Sequence, residues 1–426
     1  MGDGVKTARK FSFNPARSGV FWAVTLGYGL FYVCRLSINV LKKSIVDDGF
    51  LTESQLGIIG SALFFSYAVG KFVNGFLADR VNIRYFMGGA LLVCALVNFL
   101  LGLKAPFWLF VGLWALNGWF QSAGAPSSVI ALKRWYGGGG MGTVYGFWSA
   151  SHNLGEAVTF IFTAVMVGTY GWQAGFLSAS ALGLMGALLI LLLLKPFPPG
   201  AEPQLKGMER QKDISRHQLK VLKMPMIWVL ALASAFMYVA RYAVNSWGIF
   251  YFEAEKGYQV VQASSLIAVS SVCGIVGTVF SGLISDKLFK GDRNRPAVIA
   301  SAVNLLSLLM FLFVPKGYYW LDIAAMVLFG LSIGILICFL GGLMAVDMAP
   351  AEAVGAAAGV IGIASYAAAG IQDILSGYFI EGRKQMIDEI AVYDFSAIRV
   401  FWIVAACCSL ALLLVIMLRP KKSSSQ

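Results

Sequence analysis

The chain has 426 residues, of which 58% are hydrophobic and only 13% are charged, and its mean hydropathy is +0.75. Soluble domains are closer to half apolar and a quarter charged, so this composition excludes an ordinary soluble protein and indicates an integral membrane protein. The net charge of +12 fits basic cytoplasmic loops and an anion site, and we expect no nucleic-acid partner.

Twelve segments are apolar and long enough to cross the bilayer as helices. They lie at 18–41, 55–78, 85–103, 107–131, 142–167, 173–195, 225–252, 262–285, 296–314, 319–346, 353–380 and 398–418. The longest connection, 196–224, is rich in proline and then in charge. The sequence therefore predicts an all-α membrane protein in which two six-helix bundles, 18–195 and 225–418, flank a cytoplasmic linker, with short tails at 1–17 and 419–426.

Basic residues predict the orientation, because cytoplasmic loops carry an excess of Lys and Arg. With both termini inside, the inner segments hold about 22 basic residues and the outer loops, from Lys42 to Arg399, about eight. We therefore expect both termini to lie in the cytoplasm. We expect the membrane to be a bacterial inner membrane. Three basic residues remain inside helices: Arg35, Lys71 and Arg241.

The sequence repeats itself. "YVCRLSIN" at 32–39 matches "YVARYAVN" at 238–245, an offset of 206, and "GKFVNGFLADR" from Gly70 aligns with "GTVFSGLISDK" from Gly277, an offset of 207. Two matched pairs at one offset indicate parallel six-helix repeats. This layout is typical of major facilitator transporters, whose substrate lies near the midplane between the halves.

The second matched pair falls in the loops after helices 2 and 8. It is similar to a major facilitator loop motif in which a carboxylate and basic residues latch neighbouring helices on the cytoplasmic side. A simple helix cap is the alternative for either copy alone. The candidate latch residues are Gly75, Asp79, Arg80, Arg84, Gly282, Asp286, Lys287 and Arg293.

Arg35 and Arg241 occupy matching places in helices 1 and 7. An arginine near a helix centre costs roughly 2.5–3.5 kcal/mol to insert, so it normally faces a cavity or a partner. The alternatives are snorkelling and an ion pair with Glu156 or Asp373. Repeat symmetry places the two guanidinium groups across a central cavity, where their forks match the oxygens of a phosphate monoester dianion.

Polar and aromatic neighbours of the arginines share their helix faces by spacing. Packing is the alternative for each aromatic residue. His152 adds a donor or a proton near the phosphate, with helix packing as its alternative. The candidate companions are Tyr28, Tyr32, Asn39, Tyr67, Lys71, His152, Tyr238 and Asn245.

Seven stretches of the sequence, taken together, resemble the organophosphate:phosphate antiporter family of the major facilitator superfamily. They are "GYGLFYVCR", "YAVGKFVNGFLADRVNIRYFMG", "NGWFQSAGAP", "SHNLG", "YVARYAVNSWG", "SDKLFKGDRNRP" and "GVIGIASY". The resemblance runs from Gly27 to about Tyr378. It implies exchange of an organic phosphate for inorganic phosphate, with Arg35 and Arg241 holding the phosphate. It also implies that His152 and Lys71 add positive charge and that Tyr28, Tyr32, Tyr67 and Tyr366 line the route.

The chain departs from the family pattern at a few positions. Residues 125–128 read Ala-Pro-Ser-Ser, and Ser246 replaces an aspartate before the Trp of helix 7. Glu156 and Asp373 stand where family members have small or apolar residues. A salt bridge to His152 or Lys71 is one interpretation of Glu156; contacts from the acids to an amine or hydroxyls of the substrate are the other.

The leading hypothesis is therefore an antiporter for a phosphorylated metabolite, such as a sugar phosphate or glycerol phosphate, with inorganic phosphate as counter-substrate and the lipid bilayer as its surroundings. We expect a monomer. The alternative is a membrane sensor of an external phosphate ester that signals through a partner kinase. An enzyme is disfavoured because His152 is the only deep histidine and the six cysteines show no metal or redox spacing, and we expect no cofactor or metal.

Overall fold

The computed structural model describes residues 15–137, 141–200, 222–349, 354–388 and 390–418. The predicted C-terminal tail, most of the N-terminal tail and most of the predicted linker lie outside these residues. The helices are α1 (Pro15–Asp47), α2 (Glu53–Ala78), α3 (Ile83–Gly102), α4 (Phe107–Gln121), α5 (Gly124–Tyr136), α6 (Met141–Tyr170), α7 (Trp172–Leu193), α8 (Pro225–Ala254), α9 (Val260–Leu283), α10 (Asn294–Phe313), α11 (Tyr319–Cys338), α12 (Met344–Met348), α13 (Val354–Glu381) and α14 (Ser396–Leu418).

These helices coincide with the twelve predicted spans, and in the described part of the chain ten helical segments are long and apolar enough to cross a membrane. A π-helical turn, Ile284–Leu288, follows α9 at the end of the predicted eighth span, and a second, Phe339–Leu343, lies between α11 and α12 within the predicted tenth span. Two of the predicted spans are not among these ten segments. One is formed by α4 and α5, which are each short, and the other is α6, whose first half is polar.

The predicted fourth span is two helices rather than one. Pro126 has no N–H and its ring crowds the carbonyl four residues earlier, so the helix breaks at Ser122. Asn74 of α2 donates to the Trp119 carbonyl at 2.9 Å and to Ser122 Oγ at 2.7 Å. Ser122 Oγ also donates to the Trp119 carbonyl at 2.7 Å, so side chains satisfy this carbonyl at the break.

The first helix is longer than predicted, since α1 continues to Asp47 rather than ending at 41. Placing Lys42 in an outer loop was wrong, because Lys42 lies inside α1 and is fully buried. The hydropathy of the sequence falls at Lys42 and Lys43, but the helix continues because a carboxylate from α13 neutralises Lys42.

Helix contacts place the candidate site between two bundles. In the first bundle α1 packs against α6 and α7, and in the second α8 packs against α13 and α14. Across the interface α2 packs against α13, α6 against α9, and α1 against α8. The matched arginines, on α1 and α8, therefore lie on the two helices that face each other at the centre.

Glycines bring α2 and α13 unusually close. A Cβ atom on Gly57 would lie 2.5 Å from the Asp373 carbonyl oxygen, and one on Gly60 would lie 1.6 Å from Asp373 Oδ2. A Cβ atom on Gly377 would lie 2.4 Å from the Glu53 carbonyl oxygen. Only glycine permits this backbone approach, which seals the interface near the start of α2.

A short antiparallel hairpin, which the sequence did not predict, joins α13 to α14. It consists of β1 (Lys384–Ile387) and β2 (Ile390–Tyr393). Glu53 at the start of α2 accepts hydrogen bonds from Lys384 Nζ at 2.9 Å and Tyr393 Oη at 2.7 Å. Burial and the Glu53 carboxylate raise the pKa of Tyr393, so its hydroxyl remains a donor. The hairpin thereby links the second bundle to α2 of the first.

Candidate functional site

Arg35 and Arg241 are buried and converge on one residue, Tyr242. Their residue exposures are 4% and 9%. Arg35 Nη2 donates to Tyr242 Oη at 3.3 Å, and the Arg241 guanidinium carbon lies 5.4 Å from the centre of the Tyr242 ring. One guanidinium from each bundle thus reaches the same side chain, and we call these two residues the arginine pair.

The arginine pair is held by aromatic rings rather than by acids. The Arg35 guanidinium carbon lies 4.6 Å from the centre of the Tyr67 ring and 5.7 Å from that of Tyr366. Among the described residues, no carboxylate oxygen lies within 4 Å of a nitrogen of Arg35 or Arg241. The low exposure of both side chains also disfavours snorkelling, so two cations remain buried without a carboxylate in direct contact among the described residues.

The tyrosines and His152 extend this cluster along α1 and α6. The ring centres of Tyr28 and Tyr32 are 5.6 Å apart, and those of Tyr32 and His152 are 5.5 Å apart. Tyr28 also stacks on Trp148 at 5.0 Å. The predicted companions on α1 therefore share one face that reaches His152.

A second row of aromatic rings crosses from α2 to α13 and α8. The ring centre of Tyr366 lies 4.7 Å from that of Tyr67 and 5.5 Å from that of Tyr238. Lys71 is exposed, and its Nζ lies 5.5 Å from the centre of the Tyr366 ring. Lys71 therefore stands at the edge of the cluster rather than inside it.

Glu156 lies at the interface between α6 and the second bundle. Its Oε1 accepts hydrogen bonds from Asn245 Nδ2 and from Ser271 Oγ, the latter at 3.0 Å. Asn39 of α1 donates to the backbone carbonyl of Asn245 at 3.1 Å. One cavity lies between α6, α8, α9 and α11, and its lining includes Glu156, Asn245, Ser271 and Arg241. We call this cavity the Glu156 pocket.

Asp373 lies apart from the arginine pair and is occupied by other partners. Its Oδ1 accepts hydrogen bonds from Lys42 Nζ at 3.2 Å, Ser246 Oγ at 2.7 Å and Trp247 Nε1 at 2.6 Å. The ammonium of Lys42 also lies 3.7 Å from the centre of the Trp247 ring. We call these four residues the Lys42 cluster; it joins α1 to α8 and α13.

Polar contacts between the bundles gather toward one membrane face. They begin at the arginine pair and continue through Asn39 and the Lys42 cluster. They end at Ser54, whose backbone N–H donates to Glu381 at 2.8 Å, and at the contacts between Glu53 and the hairpin. The basic-residue bias predicts this face to be the outer one. The bundles are thus sealed there by a ladder of hydrogen bonds and ion pairs.

The latch candidates lie at the opposite ends of the helices. Asp79 caps α2, and Arg84 Nε at the start of α3 donates to the Leu191 carbonyl. In the second copy, Arg293 pairs with Asp347 at the end of α12 at 2.8 Å. An added Cβ atom on either candidate glycine would meet open space. The remaining candidates lie on the same elements. Arg80 follows α2, and Asp286 and Lys287 lie in the π turn Ile284–Leu288. Gly75 is in α2 and Gly282 is in α9.

Sequence reasoning missed Tyr242, Lys42 and Ser271. Tyr242 follows Tyr238 by four residues, a helical spacing that could have placed it on the face of the arginine pair. Lys42 follows Arg35 by seven residues and shares its face in the same way. Ser271 had no such signal, because a serine in an apolar helix is common.

In the described part of the chain no cluster of three or more His, Cys, Asp or Glu side chains could hold a metal ion. The two histidines of the sequence are separated along the chain, with His152 on α6 and His217 outside the described residues. The polar groups that the structure brings together at the site are guanidinium, phenol, amide, carboxylate and imidazole groups.

Comparisons with known proteins agree with this architecture. The model of the Major Facilitator Superfamily matches residues 24–372. The chain is 32% identical over 377 residues to the membrane sensor protein UhpC of Salmonella typhimurium, and this alignment covers 83% of each chain. It is 31% identical over 387 residues to the probable hexose phosphate transport protein of Chlamydia trachomatis, which covers 84% of this chain and 83% of the relative.

Solved structures support the same fold. A bacterial homologue of the human lysosomal transporter Spinster, in an inward-facing and unoccupied conformation, superposes with a TM-score of 0.73 and covers 95% of this chain and 96% of that chain. Its sequence identity of 16% bears on the fold alone. The predicted all-α architecture of two six-helix bundles is confirmed, and the chain belongs to the Major Facilitator Superfamily.

Proposed function

We propose that the protein is a secondary transporter, not an enzyme, which exchanges a phosphorylated small metabolite for inorganic phosphate by alternating access. The name of one relative, a probable hexose phosphate transport protein, supports a phosphate ester as the ligand. The bundles would rock about the central site, which opens first to one side of the membrane and then to the other.

The arginine pair is the observation that carries the proposal. Two guanidinium groups, one from each bundle, reach Tyr242 and have no carboxylate within 4 Å among the described residues. Buried charges are normally paired, so two adjacent unpaired cations are costly unless a ligand supplies the negative charge. A phosphate offers oxygens to both forks at once and neutralises both charges.

The same charges explain why exchange would be favoured over leak. Closing the empty cavity on both sides would trap the two arginine charges in a space of low dielectric without a carboxylate in direct contact, whereas closing it around a phosphate dianion supplies negative charge to both guanidinium groups at once. Ligand binding therefore stabilises the occluded state more than it stabilises the open states, and this difference drives the conformational change. Each crossing then requires a phosphate-bearing passenger in either direction.

The proposal also assigns orientation and domains. Both termini and the linker 196–224 lie in the cytoplasm of a bacterium, and the bundles 18–195 and 225–418 move as two bodies. The conformation described here is then sealed toward the outside, by the Lys42 cluster and the Glu53 contacts. The protein acts as a monomer in the inner membrane.

Exchange in proteoliposomes tests the proposal. Purified protein is reconstituted with labelled phosphate inside, and efflux is followed when phosphate or a phosphate ester is added outside. We expect efflux that depends on the external anion and is lost in Arg35→Lys and Arg241→Lys, because lysine keeps the charge but cannot form the bidentate fork. Anion-independent efflux, or wild-type exchange in both variants, would contradict the proposal.

The second candidate function is a membrane sensor, favoured by the 32% identity to the sensor protein UhpC. The arginine pair would then bind the same ligand without carrying it across. Binding of a phosphate ester to the purified protein, together with no exchange in sealed liposomes, is the result that would select the sensor. A partner kinase belongs to this candidate alone.

A further inference from the structure

We propose that Glu156 is the specificity-determining residue for the organic part of the ligand. Its carboxylate accepts hydrogen bonds from hydroxyl or ammonium groups and rejects phosphate esters that carry a second acidic group. This inference rests on the proposed function, because it assumes that the phosphate binds at the arginine pair.

The position of Glu156 links it to the phosphate without occupying the same place. Arg241 and Glu156 line one cavity, yet no nitrogen of Arg241 lies within 4 Å of a Glu156 carboxylate oxygen among the described residues. A phosphate held by Arg241 would therefore leave the remainder of its ester in the Glu156 pocket. Asn153, Ser270 and Ser271 line the pocket as well, together with Phe329, Ile333 and Ile337, so its wall offers polar groups beside apolar ones.

The pocket offers acceptors that need donors. The two hydrogen bonds to Glu156 both end on Oε1, and in the described part of the chain no hydrogen bond reaches Oε2. Asn245 Oδ1 is buried and has no partner there either. The orientation of the Asn245 amide is fixed, because its other end donates to a carboxylate oxygen, which only accepts. A buried acceptor without a partner, such as Asn245 Oδ1, is costly, and a ligand with O–H or N–H groups could donate to it and to Glu156 Oε2.

Only one of the two deep acids can act in this way. Asp373 is neutralised by Lys42 and receives hydrogen bonds from Ser246 and Trp247. Glu156 receives hydrogen bonds from the neutral side chains Asn245 and Ser271 and has no cation within 4 Å among the described residues, so its carboxylate, when ionised, acts on whatever enters the pocket. A ligand carboxylate there would add a like charge and more acceptors, whereas the hydroxyls of a sugar would add donors.

Competition among three probes tests this assignment on the purified full-length protein. The probes are inorganic phosphate, glucose 6-phosphate and 3-phosphoglycerate, and affinities of the two esters are expressed relative to inorganic phosphate. In the wild type we expect glucose 6-phosphate to bind at least about tenfold more tightly than 3-phosphoglycerate. In Glu156→Gln, which keeps the shape but removes the charge, the relative affinity for 3-phosphoglycerate should rise about tenfold and that for glucose 6-phosphate should fall severalfold.

Two further variants separate charge from contact. Glu156→Asp keeps the charge but shortens the side chain, so it should still reject 3-phosphoglycerate while it binds glucose 6-phosphate more weakly. Glu255→Gln is the matched control, because Glu255 pairs with Arg399 away from the pocket, and both ratios should stay at their wild-type values. Wild-type ratios in Glu156→Gln, or equal wild-type affinity for the two esters, would overturn the inference while the function stands. A wild-type protein that binds none of the probes, inorganic phosphate included, would refute the proposed function and this inference with it.

Discussion

Removing the carboxylate of Asp373 should open the sealed face of the protein. Lys42 and Asp373 have side-chain exposures of 1% each, and they join α1 of the first bundle to α13 of the second. In Asp373→Asn the ammonium of Lys42 stays buried without a counter-charge. When the bundles separate at this face, water reaches that ammonium, so the variant should shift the conformational equilibrium toward the open state.

The size of the shift follows from the burial of the pair. Breaking a fully buried ion pair by removing one partner costs about 3–5 kcal/mol. The Trp247 ring at 3.7 Å still stabilises the ammonium by about 0.5–2 kcal/mol, which favours the lower end of that range. We therefore expect about 3 kcal/mol, which changes the ratio of open to sealed protein by roughly a hundredfold.

Distances between spin labels at positions 48 and 386 measure this opening, since Asp48 and Met386 are exposed and belong to different bundles. Cysteines are introduced there after the native ones are replaced. Asp373→Asn and Lys42→Met should each lengthen the distance, and the double variant Lys42→Met with Asp373→Leu should restore it, because an apolar pair has no charge to hydrate. Unchanged distances in both single variants, or a double variant as open as the singles, would refute the reasoning.

Two other variants probe the same interface and the site. Gly60→Ala places a Cβ atom 1.6 Å from Asp373 Oδ2, so either the Asp373 carboxylate turns away from Lys42 or α2 moves away from α13. Both changes weaken the closed interface, and the spin-label distance should lengthen as in Asp373→Asn; an unchanged distance would contradict this expectation. Tyr242→Phe removes the hydroxyl that accepts a hydrogen bond from Arg35 at 3.3 Å. Because a hydrogen bond from a charged donor contributes about 1.5–3 kcal/mol, we expect roughly a tenfold loss of phosphate affinity, measured by isothermal calorimetry. Wild-type affinity in that variant would place the phosphate away from Tyr242.

The sequence was sufficient to predict the fold because two independent signals agree. Apolar length identifies the spans, and the repeat at offsets of 206 and 207 relates the bundles. The arginine pair was also visible, since an arginine within a span is costly and its symmetric recurrence requires a shared reason. Pro126 marked the break in the fourth span, although apolar length alone predicted one helix.

Long-range partners were not visible in the sequence. Lys42 and Lys43 look like the start of a loop, and what keeps Lys42 in the helix is Asp373, 331 residues away. The two deep acids were likewise equivalent by composition, yet one is neutralised and the other faces a cavity. The hairpin was missed because its stability depends on Glu53 of another bundle, and short exposed strands carry little periodic signal.

The interface between the bundles therefore handles buried charge in two ways. In the Lys42 cluster and at Glu53, the described residues neutralise their own charges across the interface, and the protein can hold that face closed without a ligand. At the arginine pair they do not, and under the proposed function an anion that enters from solution balances this charge. A protein that is closed at one face by its own ion pairs and completed at its centre by an anion would resist closing the other face while it is empty, and this resistance would favour exchange over leak.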